Sequence, residues 1–107
     1  MAKTDWIATA DHGEHGTPGD QFYKCFAGVK RAKNGQYELH VRSVYGSNQG
    51  SLEEHGRDER KFRADTLDEV MRVGISEIRG DEDFEKHNSK FCAAIREAVF
   101  EAQDIEA

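Results

Sequence analysis

The sequence predicts an α+β fold: an antiparallel sheet of three or four strands, with two antiparallel C-terminal helices packed on one face. Three observations predict it. An Asn34-Gly35 pair sits between two stretches whose apolar residues alternate, Gln21–Arg31 and Gln36–Tyr45. A third short alternation follows at Arg60–Ala64, and two segments of helical periodicity close the chain.

The hairpin comes first because its register follows from parity. Side chains alternate between the faces of a strand. Tyr23, Cys25, Ala27 and Val29 therefore share one face of the first strand, and Tyr37, Leu39, Val41 and Tyr45 one face of the second. A two-residue type I′ turn at Asn34-Gly35 would set these apolar rows against polar ones. A three-residue loop, Lys33-Asn34-Gly35, with Gly35 left-handed in a bulge, instead pairs Val29 with Leu39 and Ala27 with Val41. It also pairs Cys25 with Ser43, Tyr23 with Tyr45, and Lys30 with Glu38, a favourable cross-strand couple. Because a one-residue slip turns every side chain over, the hydrophobic match selects the bulged turn.

Residues 5–10, with Trp6, are read as an anchoring segment or a short fourth strand. Residues 11–20 hold three glycines and a Pro-Gly pair and are expected to form a mobile loop. Residues 46–58 are expected to be a second mobile loop. In Arg60–Ala64, Phe62 and Ala64 point inward. Asp65 or Thr66 caps a first helix bearing Leu67, Val70, Met71, Gly74 and Ile78 on one face, ended by Gly80. Gly74 in mid-helix implies a close contact, since glycine there costs about 1 kcal/mol relative to alanine. A second helix is expected from about Asp83 to Gln103, with Phe84, Phe91, Ile95, Ala98 and Ala102 as its stripe and Ala94 and Val99 widening it. The expected core is Tyr23, Cys25, Ala27, Val29, Leu39 and Val41 of the hairpin with Phe62, Val70, Met71, Ile78, Phe91, Ile95 and Val99.

At 107 residues the chain fits a single domain. It has no apolar run long enough to span a bilayer and no secretory leader, so a cytoplasmic protein of bacterial or phage type is expected, without membrane contact. Cys25 and Cys92 lie on apolar faces of different elements, which favours reduced core thiols over a bridge. The net charge of −6 is uneven. Residues 21–46 carry five Lys or Arg against one acid, whereas residues 47–107 carry nine against sixteen.

Four candidate sites follow. The row opposite the apolar one places Phe22, Lys24, Phe26, Lys30, Glu38, His40, Arg42 and Val44 together. Of these, Phe22, Lys24, Phe26, Lys30, His40 and Arg42 are the expected partner-binding residues. Cations interleaved with aromatic rings suit a docking partner and, as the alternative, single-stranded nucleic acid. The acidic residues Glu69, Glu77, Asp81, Glu82, Asp83, Glu85, Glu97, Glu101, Asp104 and Glu106 suit a basic partner, as in acidic inhibitor proteins of phages or mobile elements. His12, Glu14 and His15 offer metal-ligand atoms at His-x-x-His spacing, but a glycine-rich loop would not preorganise them, and no metal or other cofactor is expected. Cys25 and His40 fall on opposite faces, so they do not make a nucleophile–base pair. With no phosphate-binding glycine loop, nucleophile elbow or dinucleotide fingerprint, the expectation is a small non-enzymatic binding or regulatory protein. Its expected partner is another protein or its own copy.

Overall fold

A computed structural model of the protein describes residues 6–15, 21–48, 52–81 and 88–106, with side chains described at 6–12, 25–43, 59–81 and 88–106. The elements are β1 (Ala8–His15), β2 (Gln21–Arg31), β3 (Tyr37–Asn48), β4 (Leu52–Ala64), α1 (Leu67–Gly80) and α2 (Asn88–Glu106). The four strands form one antiparallel meander in the order β1-β2-β3-β4. Both helices lie on the same side of it, α2 over β1 and β2, α1 over β3 and β4.

The β2–β3 register is the one that hydrophobic matching selects: Val29 pairs with Leu39, Ala27 with Val41, Cys25 with Ser43 and Lys30 with Glu38. The turn closes through Ala32, whose N–H donates to Gln36 O at 2.7 Å and whose carbonyl accepts from Gly35 N–H at 3.0 Å. Gly35 has φ +87°, the only positive φ among the described residues. An added Cβ there meets nothing within 4 Å, so the cost of a side chain is conformational alone. Gly35→Ala is expected to lower stability by about 1–2 kcal/mol, read from the midpoint of urea unfolding.

Strand extents differ from the sequence expectation. Residues 11–15 are not loop but the second half of β1, paired with Phe22–Phe26. Likewise, β3 runs on to Asn48 and β4 begins at Leu52, so most of the expected loop 46–58 is strand. A shift between Tyr45 and Gly46 leaves His55 without a ladder partner, the two-against-one count of a bulge. The ladder is made by backbone groups, which must find partners whatever the side chains are. Glycine, serine and charged residues therefore continue strands that their propensities alone would end.

Thr66 caps α1, its Oγ1 accepting from Glu69 N–H at 3.1 Å. The described part of α2 begins at Asn88 and reaches Glu106, three residues beyond the expected end; residues 82–87 lie outside the described set. The helices run antiparallel. α1 starts beside the β2–β3 turn, where Gln36 Nε2 donates to Asp65 Oδ1, and ends with Asp81 paired to Arg60 at 3.3 Å. α2 runs back, from Glu97 beside His12 to Glu106, which accepts from Arg31 and Tyr37 at the turn end of the sheet.

The core lies between sheet and helices. Cys25, Ala27, Val29, Leu39, Val41, Val70, Ile78, Phe91, Ile95 and Val99 have no exposed surface, while Phe62 and Met71 are partly buried against them. Ala8 and Ala10 of β1 complete the floor beneath α2. The thiols of Cys25 and Cys92 are buried and unbridged. Gly74 marks the closest helix–sheet approach: a Cβ there would overlap Leu39 Cδ2 and come within 3.5 Å of Phe62 Cδ2. Among the described residues no helix is long and apolar enough to cross a membrane.

Candidate functional site

The helices cover one face of the sheet; the other carries the cationic and aromatic row. Three strands build it in register. Phe26 of β2 stands across from Arg42 of β3, Gly28 from His40, and Lys30 from Glu38. From β4, Glu59 faces Arg42, Lys61 faces His40 and Arg63 faces Glu38. Thus Phe26, Lys30, His40 and Arg42 are brought onto one face. Phe22 and Lys24 belong to β2, paired with Gly46 and Val44, but their side chains lie outside the described residues.

Trp6 occupies the middle of this face. The backbone there enters the sheet through Ile7, whose N–H donates to Val29 O at 2.7 Å. The indole then reaches across β2 to β3. Its ring meets Phe26 edge-on at 5.7 Å and His40 at 4.9 Å with an interplanar angle of 82°. Lys30 Nζ lies 5.6 Å from the indole centroid, within cation–π range. The seat exists because residue 28 is glycine. A Cβ there would stand 2.8 Å from Trp6 Cε3 and 2.9 Å from Cζ3.

Beside Lys30 and His40 lies a carboxylate. Glu38 is only 5% exposed, and an acid so placed needs partners. Arg63 donates to its Oε1 from Nε at 3.3 Å and Nη2 at 3.2 Å. Lys30 Nζ lies 3.8 Å from Oε2, and His40 Nε2 lies 3.2 Å from the same oxygen. Burial works to raise the Glu38 pKa, but the close approach of His40 and the hydrogen bonds and charge of Arg63 outweigh it and hold the acid below its ordinary value. Burial pushes the His40 imidazole below its ordinary value. The nearby Glu38 opposes that shift, whereas the charges of Lys30 and Lys61 add to it. His40 Nε2 is also buried without an aligned hydrogen-bond partner. Beside it, Arg42 stacks over Phe26 at 5.1 Å and pairs with Glu59 at 3.0 Å.

Among the described side chains of this face, cations outnumber carboxylates by one. Lys30, Arg42, Lys61 and Arg63 are set against Glu38, Glu59 and, by register, Asp11.

The metal-ligand spacing comes out differently. His12, Glu14 and His15 lie on strand β1 rather than in the expected loop. His12 turns toward the helices and meets Glu97 Oε2 at 2.6 Å; the side chains of Glu14 and His15 are outside the described residues. Of the helix acids, Asp81, Glu97 and Glu106 hold the helices to the sheet through Arg60, His12 and Arg31. Glu69, Glu77, Glu101 and Asp104 of the expected acidic surface are exposed, and Glu82, Asp83 and Glu85 lie outside the described residues.

Sequence reasoning missed the Trp6–Gly28 seat and the contribution of β4. An interior strand glycine signals close backbone approach, but nothing in the sequence tells which side chain approaches. No family model, curated protein or solved structure matches this chain.

Proposed function

We propose that the protein is a small non-enzymatic binding module that docks a protein partner on the outer sheet face, around Phe26, Lys30, His40 and Arg42. One observation supports this reading above the others. Lys30 and Arg63 share the Glu38 carboxylate and Arg42 pairs with Glu59, so the described cations beside the aromatic centre of Trp6 and Phe26 are largely engaged by acids of the same face. Apolar centres with polar rims suit protein contacts. Nucleic acid gains affinity from cations free to neutralise phosphate, and here the opposing acids would repel it.

Residue-resolved cross-linking tests the proposal. With a lysine-reactive reagent applied in native extract, cross-links to a partner, or to a second copy, are expected from Lys30 and Lys61. Links confined to Lys90 on α2 would move the site to the helices. Saturable binding of short labelled oligonucleotides at low salt, abolished in Arg42→Glu, would replace the protein partner with nucleic acid.

A further inference from the structure

Trp6 lies on the face proposed for docking. It precedes the first residue of β1, and its backbone neighbour makes one ladder-like bond, Ile7 N–H to Val29 O. Among the described residues, its side chain meets Phe26, His40, Lys30 and the bare backbone of Gly28. The indole is half-buried rather than part of the main core.

We propose that Trp6 is a proton-releasable cover on the outer sheet face: seating of the indole over Gly28 and uptake of a proton by His40 oppose one another. The geometry gives the reason. His40 points out of β3 on the side of the sheet that the indole occupies, with the two rings 4.9 Å apart and the His40 side chain 15% exposed. An imidazolium must donate from both ring nitrogens. Yet Nε2 is buried, and Glu38 Oε2, 3.2 Å away, is not aligned to accept from it and already lies near Lys30.

The charged groups facing His40 come from every neighbouring strand. Lys30 stands on β2, Glu38 and Arg42 on β3, and Glu59, Lys61 and Arg63 on β4. Glu38 favours the charged ring, but Arg63 and Lys30 compete for the same carboxylate. Lifting the indole admits water to Nε2 and removes the cost of charging it. Linkage is reciprocal, so whatever protonates His40 loosens Trp6, and losing Trp6 eases protonation. The depressed His40 pKa agrees with this direction. The consequence for binding rests on the docking reading above; the proton–indole coupling itself does not.

Trp6 is the only tryptophan of the chain, so its fluorescence reports the seat directly. Acrylamide quenching of the intact protein is expected to be weak at pH 8 and to rise toward pH 5, with a midpoint below the ordinary histidine value of about 6.5. The unseated population grows about tenfold for each unit by which the seated and unseated His40 pKa values differ. His40→Gln is expected to make quenching independent of pH, and Gly28→Ala to leave it high throughout. Quenching that stays flat in the wild type, or a rise that survives in His40→Gln, overturns the proposal. Should His40→Gln fail to fold, the His40 ring is titrated by NMR in wild type and Trp6→Ala. The ring is expected to titrate at higher pH without the indole, and an unchanged titration overturns the coupling. Partner cross-links from Lys30 and Lys61 without the quenching response would leave docking standing and remove the cover. The response without the cross-links would do the reverse.

Discussion

Leu39→Ala is expected to destabilise the protein by about 2–5 kcal/mol, and Gly74→Ala to cost less in that variant than in the wild type. Leu39 has no exposed surface and fills the space beneath α1, where the helix is closest to the sheet. Truncating it leaves a cavity bordered by Gly74, Phe62 and Ile95. In the wild type, a methyl at Gly74 overlaps Leu39 Cδ2 and forces the helix or the leucine to move. Such overpacking costs about 1–3 kcal/mol, more than the roughly 1 kcal/mol gained in helix propensity. With Leu39 cut back, the same methyl enters empty space and the propensity gain is kept. Urea unfolding of the four proteins in this double-mutant cycle measures the coupling. Strict additivity would mean that α1 does not pack on β3 at this point.

Glu38→Ala is expected to cost about 1–3 kcal/mol at neutral pH. The lower part of that range applies, because Arg63 is more than half exposed and water takes over its charge. The pH dependence carries more information than the size. His40 titrates below its ordinary value in the folded protein, so the unfolded chain holds more protons as pH falls from about 6.5. Stability from the neutral, buried imidazole is thus complete above that pH and is lost below it. Glu38 is also depressed, from a starting value of 4.5; its contribution is complete above that value and is lost as pH falls through the lower folded one. Both groups therefore weaken the fold on acidification, His40 first and Glu38 last. In Glu38→Ala the loss at the most acidic end should be smaller than in wild type, as followed by thermal unfolding from pH 7 to pH 3. An equal or steeper acid loss in the variant would show that Glu38 is not the linked carboxylate.

Much of this was legible in the residues, and what was not has physical causes. The hairpin register could be read because one face of each central strand is buried, so a slip would turn Val29 and Leu39 to water. Gly74 signalled a close contact because a mid-helix glycine is otherwise costly. The extent of β1, β3 and β4 was not legible. Gly13, Gly46 and the charged run before Arg60 look like loop, and only the neighbouring backbone makes them strand. Long-range side-chain partners were hidden for a different reason. His12 and Glu97 are 85 residues apart, and only the placing of α2 over β1 brings them together. On the outer face the row of Phe26, Lys30, His40 and Arg42 followed from parity alone. Its internal ion pairing did not, because Arg63 and Glu59 reach it from β4, whose pairing with β3 has no turn signal comparable to Asn34-Gly35.

Proton–proton contacts from the indole of Trp6, observed by NMR at neutral pH, test the outer-face geometry most directly. Cross-peaks to the Gly28 α-protons, the Phe26 ring and the His40 ring are expected, with none to the methyls of Val29 or Leu39. An indole that instead meets Val29 and Leu39 would put Trp6 on the helix side of the sheet, and neither the docking face nor its cover would survive.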